Sequence, residues 1–152
     1  MELSEISISL PFGLGSCKWK PAEAERIAAW SLYIELVTRV ATQELSEFDG
    51  LDEDVLRSLY SLFPSTRRVL RRAGAKVGVT KGSLGGVAIA VLNSGLRPFL
   101  SKWRPVVKNL GQHAPHEWQG RDDFRKELRL LSAELSRYAE VLAIIAGVGD
   151  QL

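Results

Sequence analysis

"FRKELRLLSAELSRYAEVLAII", residues 124–145, sets the fold class. Phe124, Leu128, Leu131, Leu135, Tyr138, Leu142 and Ile145 recur at alternating spacings of four and three without a break. That is the heptad period with which one helix lies nearly parallel against a neighbour. Gly147 and Gly149 stop it. A long helix with an apolar seam needs partners, and the rest of the chain supplies candidates.

Working backwards, residues 84–110 place Leu84, Ala88, Leu92, Leu96, Phe99, Trp103, Val106 and Leu110 on a second helical stripe, with Ser83 as its cap. Pro98 and Pro105 are expected to bend it. Residues 52–74 give a third helix, with Asp52 a candidate N-cap, Pro64 a break or kink that Ser65 and Thr66 re-cap, and Gly74 the stop. Residues 21–45 give another, opened by Pro21 and by Glu23 and Glu25 in the first turn. Its apolar arc is wide: Ile27, Trp30, Tyr33, Ile34, Leu36, Val37 and Val40. Before it, Ile6, Ile8, Leu10, Phe12 and Leu14 alternate with mostly polar residues, an extended period with no evident strand partner. The expectation is an all-α single domain spanning 1–152, an antiparallel four-helix bundle over 21–148 with an extended arm over 1–20.

Length and composition agree with one globular domain, at 152 residues, 45% hydrophobic and 25% charged. Met1, Glu2 and Glu5 lack the cationic region of a signal peptide, and one cysteine leaves no internal disulfide, so a cytoplasmic setting is expected. The apolar stretch 82–96 is shorter than the roughly 20 residues a bilayer span needs. It is read as a buried helix.

The charge is distributed unevenly. Residues 1–54 carry 11 acidic and 4 basic side chains; residues 55–116 carry 11 basic and no acidic ones. Within that basic block, "RRVLRR" (67–72) supplies Arg67, Arg68, Arg71 and Arg72, while Arg97, Ser101, Arg104 and Lys108 share an arc of about 60° on the next helix, with Lys102 beside it. Guanidinium forks suit carboxylate and phosphate. These eight cations are the candidate anion- or partner-binding surface. The competing reading is that they pair with the acidic helices of the same domain, where exposed pairs are worth about 0–1 kcal/mol each.

Catalytic constellations are not assembled. Cys17 has no base nearby in sequence, His113-x-x-His116-Glu117 lacks further ligands in pattern, and "GLGS" (13–16) lacks the rest of a phosphate loop. No cofactor and no metal are expected. A ribonuclease of the HEPN type would place histidine four to six residues after an arginine on a helix, whereas Arg104 and His113 are separated by eight.

"LRPFLSKWRP" (96–105), "SLYSLFP" (58–64) and "YAEVLAIIAGV" (138–148) resemble segments of a group of bacterial all-helical proteins. The resemblance covers the chain from Trp30 to Val148. It implies a small cytoplasmic partner within a larger bacterial system and brings no established activity. Arg104 stands where the group has histidine, so no histidine role carries over. The functional expectation is an adaptor or regulatory subunit of a bacterial system, of the defence or signalling kind, docking an acidic protein; the alternative is a nucleic-acid or nucleotide binder using the same face, and the third reading is the HEPN-like nuclease. The arm and the wide first-helix arc suggest association with a second copy or with a partner protein.

Overall fold

The computed structural model describes residues 5–39, 52–110 and 118–148. It is mostly helical. A hairpin of β1 (Ile6–Ser9) and β2 (Ser16–Trp19) is followed by α1 (Glu23–Val37), α2 (Asp52–Tyr60), α3 (Leu62–Ala73), a short 3-10 turn, α4 (Leu84–Ala90), a π segment (Val91–Leu96), α5 (Arg97–Leu110) and α6 (Arg121–Ala146).

All seven heptad residues of α6 are buried, and α6 packs along α1, with α1 also against α3 and α2 against α5. Gly147, in the left-handed conformation, ends α6, as Gly74 ends α3. Helix α1 stops at Val37, short of the expected Leu45, which lies outside the described residues, as does Val40. It also starts two residues after Pro21, with Ala22 at the N-cap.

The arm does have a strand partner in its own chain, which corrects the sequence expectation. β1 pairs antiparallel with β2, Ile6 opposite Trp19 and Ile8 opposite Cys17. The missed partner, "SCKW", is short and carries a lysine, so it lacks an apolar alternation of its own. Phe12, Gly13 and Gly15 take positive φ in the connecting turn. The glycines of "GLGS" therefore turn a hairpin. Phe12 is held in this costly conformation by its N–H donating to Glu134 Oε2 on α6 at 3.1 Å and by its ring lying against Gly95, where a Cβ would come within 2.8 Å of it.

Glu25 joins three elements. Only 6% exposed, its Oε1 accepts the Ala22 N–H at 2.9 Å, and its Oε2 accepts Trp19 Nε1–H at 3.2 Å and the Leu84 N–H at 2.8 Å. One carboxylate thus satisfies donors at the starts of α1 and α4 and fixes the hairpin to both. Ser83 adds the expected cap on α4, accepting from Gly86 N–H at 3.1 Å. Gly85 and Gly86 let α4 sit directly on the preceding loop, for a Cβ at either would meet the carbonyl oxygens of Gly78 and Thr80 within 2 Å.

Two helical expectations shift. The break between α2 and α3 falls at Ser61, three residues before Pro64. Ser65 does not cap; it is buried and its Oγ accepts from Arg39 Nη2 at 2.6 Å. Asp52 opens the described part of α2, with its carboxylate committed to α6 and the turn before it: Trp118 Nε1 and Arg121 Nε each donate to it at 3.0 Å, and Arg125 Nη1 at 3.5 Å.

The rod 84–110 is not one α-helix. At about 100° per residue, the buried set Phe99, Trp103 and Val107 lies about 100° round from Leu84, Ala88 and Val91, the angle of one extra residue. The π segment absorbs that residue in its wider turn, with Arg97 N–H donating to Leu92 O. Pro98, which has no N–H, follows directly. The expected stripe is corrected accordingly: Val107 is buried and Val106 is exposed. Residues 84–110 are long and apolar enough by composition to cross a membrane, yet 56% of the most apolar window is buried within the fold, the pattern of a core helix.

Replacing Glu25 with Ala should cost on the order of 3 kcal/mol, because three donors lose a charged acceptor. Glu25→Gln should cost less, since its one carbonyl keeps the Oε2 role while its amide faces the Ala22 N–H. Urea denaturation of both variants checks the order; equal losses would place the stabilisation in packing instead. Gly86→Ala should destabilise more than Gly95→Ala, because the first meets backbone and the second a side-chain ring that can shift.

Candidate functional site

Helices α2 and α3 form one wall of an open groove of about 760 Å³, and α5 forms the other. The two walls run in opposite directions: Arg97 lies by Phe63, and Arg104 by Tyr60 one turn earlier in the α2–α3 wall. Leu56, Leu100 and Val107, all buried, line the groove, with Tyr60 and Pro105 exposed above them.

Four of the eight sequence-predicted cations line it: Arg67, Arg97, Arg104 and Lys108, joined by Arg57. Three of these side chains are ordered by rings. The Arg104 guanidinium carbon lies 4.1 Å from the Tyr60 ring centre, that of Arg97 4.9 Å from Phe63, and that of Arg67 5.9 Å from the same ring. Such contacts hold a guanidinium against a ring face while its N–H groups stay free for anions. Arg97 also donates from Nε and Nη2 to Asn93 Oδ1 at 3.2 Å.

Arg68, Arg71 and Arg72 are exposed on α3 but lie outside the groove lining. Lys102 points elsewhere: its Nζ pairs with Glu127 at 2.7 Å and sits over the Trp103 ring. Internal pairing therefore describes Lys102. It does not describe Arg67, Arg97, Arg104 or Lys108, none of which has a carboxylate partner among the described residues. The one acidic residue in the lining, Glu53, pairs with Arg57.

Sequence reasoning missed the aromatic half of this site. Tyr60 and Phe63 are the immediate neighbours of its arginines. Phe63 is buried, whereas Tyr60 is 45% exposed. A Tyr and a Phe three apart, just before an arginine cluster, was the available signal.

The remaining candidates are scattered. His113, His116 and Glu117 lie outside the described residues, so the Arg104–His113 relation has no structural description. Among the described residues no group of three His, Cys, Asp or Glu is placed to hold a metal ion. On α1, Ile27, Trp30 and Ile34 are exposed, with the Trp30 and Tyr33 rings stacked at 5.6 Å. The Tyr138 hydroxyl is buried in the core with no hydrogen-bond partner among the described residues, and burial pushes its pKa up.

Cys17, half-buried on β2, has its thiol pKa raised by burial, partly offset by the nearby Lys81 ammonium. A raised pKa means less thiolate at neutral pH, so alkylation by iodoacetamide should be slower than for a free thiol, rising as pH passes above the ordinary thiol range. Lys81→Ala removes the lowering influence and should slow it further; faster alkylation in that variant would contradict this electrostatic account. Comparison of the chain with protein-family models, with curated proteins and with solved structures gave no match.

Proposed function

We propose that this chain is a non-catalytic docking module, an adaptor or regulatory subunit of a bacterial system of the defence or signalling kind, working in the cytoplasm. The groove between α2–α3 and α5 receives an acidic protein surface. One observation carries the reading: Arg67, Arg97, Arg104 and Lys108 converge on a single groove without a carboxylate partner among the described residues. Like charges held together repel, and an anionic partner relieves that cost. The scaffold in this proposal is an antiparallel four-helix arrangement, with α2 and α3 counted as one bent rod and α4 and α5 as another. Arg68, Arg71 and Arg72 extend the positive field beyond the groove and steer encounter without direct contact.

A nucleic-acid reading draws on the exposed ring of Tyr60 beside Arg104, which offers a stacking face next to a phosphate-binding fork. Self-association is a separate part of the proposal, motivated by Ile27, Trp30 and Ile34 on α1; light scattering that finds only monomer at high concentration would remove it.

The combined Arg97→Glu, Arg104→Glu and Lys108→Glu variant should keep its helical circular dichroism and lose protein partners in pull-downs from host extract, with nuclease treatment changing nothing. Partners that vanish with nuclease would favour nucleic acid, and binding to duplex DNA would then fall with salt by a slope of roughly 0.9 per phosphate neutralised. Unchanged capture by the folded variant would reject the groove as the docking surface.

A further inference from the structure

We infer that the occupant of the groove is an acidic amphipathic α-helix of the partner, lying along α5; this rests on the docking reading above. The walls are two helices running in opposite directions, and a third helix is the element whose side-chain ridges fit between such walls. Their backbones are committed to intrahelical hydrogen bonds, so an extended peptide would find no strand edge to pair with among the residues that line the groove.

The charge spacing favours the same occupant. Lys108, Arg104 and Arg97 stand four and seven residues apart on one face of α5. At about 1.5 Å per residue the row runs for about 16 Å, or three turns. A helix lying alongside presents carboxylates at the same four- and seven-residue spacing, so each can meet a cation without bending. Arg67, across the groove, covers the same occupant from the opposite wall.

Tyr60 and Pro105 add what a bare phosphate chain would not use. They are exposed apolar surface in the middle of the cationic row, above the buried Leu56, Leu100 and Val107. A row of aliphatic residues on the partner helix, between its acidic flanks, fits there. Pro105 also has no N–H to offer the Ser101 carbonyl one turn back, and Ser101 lines the groove, so an acceptor is left at its wall.

The test is fluorescence anisotropy with two labelled, end-capped peptides of about 18 residues, roughly 27 Å when helical. The first carries leucines at helical spacing with glutamates flanking them; the second has the same composition in an order that gives no helical face. The first should bind about tenfold more tightly than the second, and Arg97→Glu with Arg104→Glu should lower its affinity by at least about tenfold. Tyr60→Ala, an exposed position chosen to spare the fold, should lower it several-fold. Circular dichroism checks each variant; should the double reversal unfold, Arg104→Gln replaces it with the same expected direction. Equal binding of the two peptides overturns the helical occupant and leaves acidic docking standing. Binding of neither peptide, or binding indifferent to Arg97 and Arg104, overturns both. A duplex DNA of similar length that outcompetes the helical peptide assigns the groove to nucleic acid instead.

Discussion

Glu25 holds a position on which most of the fold's geometry depends. A buried carboxylate is costly unless its oxygens are met by donors, and here they meet an indole and two backbone N–H groups drawn from three elements. The donors at Ala22 and Leu84 belong to the ends of helices, where backbone N–H groups lack intrahelical partners and the local field favours negative charge. The same charge therefore offsets two helix-end deficits and aligns α1 with α4, 59 residues further along the chain. Once α4 is placed, the π segment and α5 follow, and with them one whole wall of the groove.

That wall meets α2 and α3 through arginine and aromatic faces rather than through ion pairs. The distinction matters chemically. An arginine bound to a carboxylate has spent its fork; an arginine laid on a ring keeps its N–H edge available. Arg104 is ordered in the second way, and Arg97 on Phe63 gives one edge to the neutral Asn93 Oδ1, while Lys102, two residues before Arg104, is bound to the Glu127 carboxylate. Neighbouring cations on one helix thus have different chemistry, set by whether Glu127 or Tyr60 stands opposite.

The sequence exposes some of this and hides the rest for identifiable reasons. The seam of α6 is legible because seven large apolar residues keep one period over six turns, with no glycine or proline to disturb it. The basic arc of α5 is legible because it is counted within one unbroken helix. The hairpin is not, because its second strand is four residues with a lysine among them, and its pairing is a long-range event across a tight turn. Glu25 reads as a favourable first-turn acid, which it is; nothing local reveals that Trp19 and Leu84 reach it. The stripe across residues 84–110 is misread because spacings of four and three look regular one step at a time, while the drift they accumulate reaches a full residue. The convergence of Arg67 with Arg97 and Arg104 depends on how helices neighbour one another, and no periodicity encodes that.

The π segment has a consequence for how this surface can change. Helical faces are set by counting, and a wider turn stores one surplus position in the middle of the rod. Losing a single residue between 91 and 96 would let the rod run as plain α-helix, at little cost to the local backbone. The faces beyond it would then keep their phase relative to α4; straightening the turn with every residue retained would instead rotate them by about 100°. Phe99 and Trp103 would swing from the core toward water, and the row from Arg97 to Lys108 would leave the groove without any arginine having been replaced. The chemistry of this face thus depends on the wider turn being kept, and straightening it with every residue in place would act at a distance as a substitution of the whole wall.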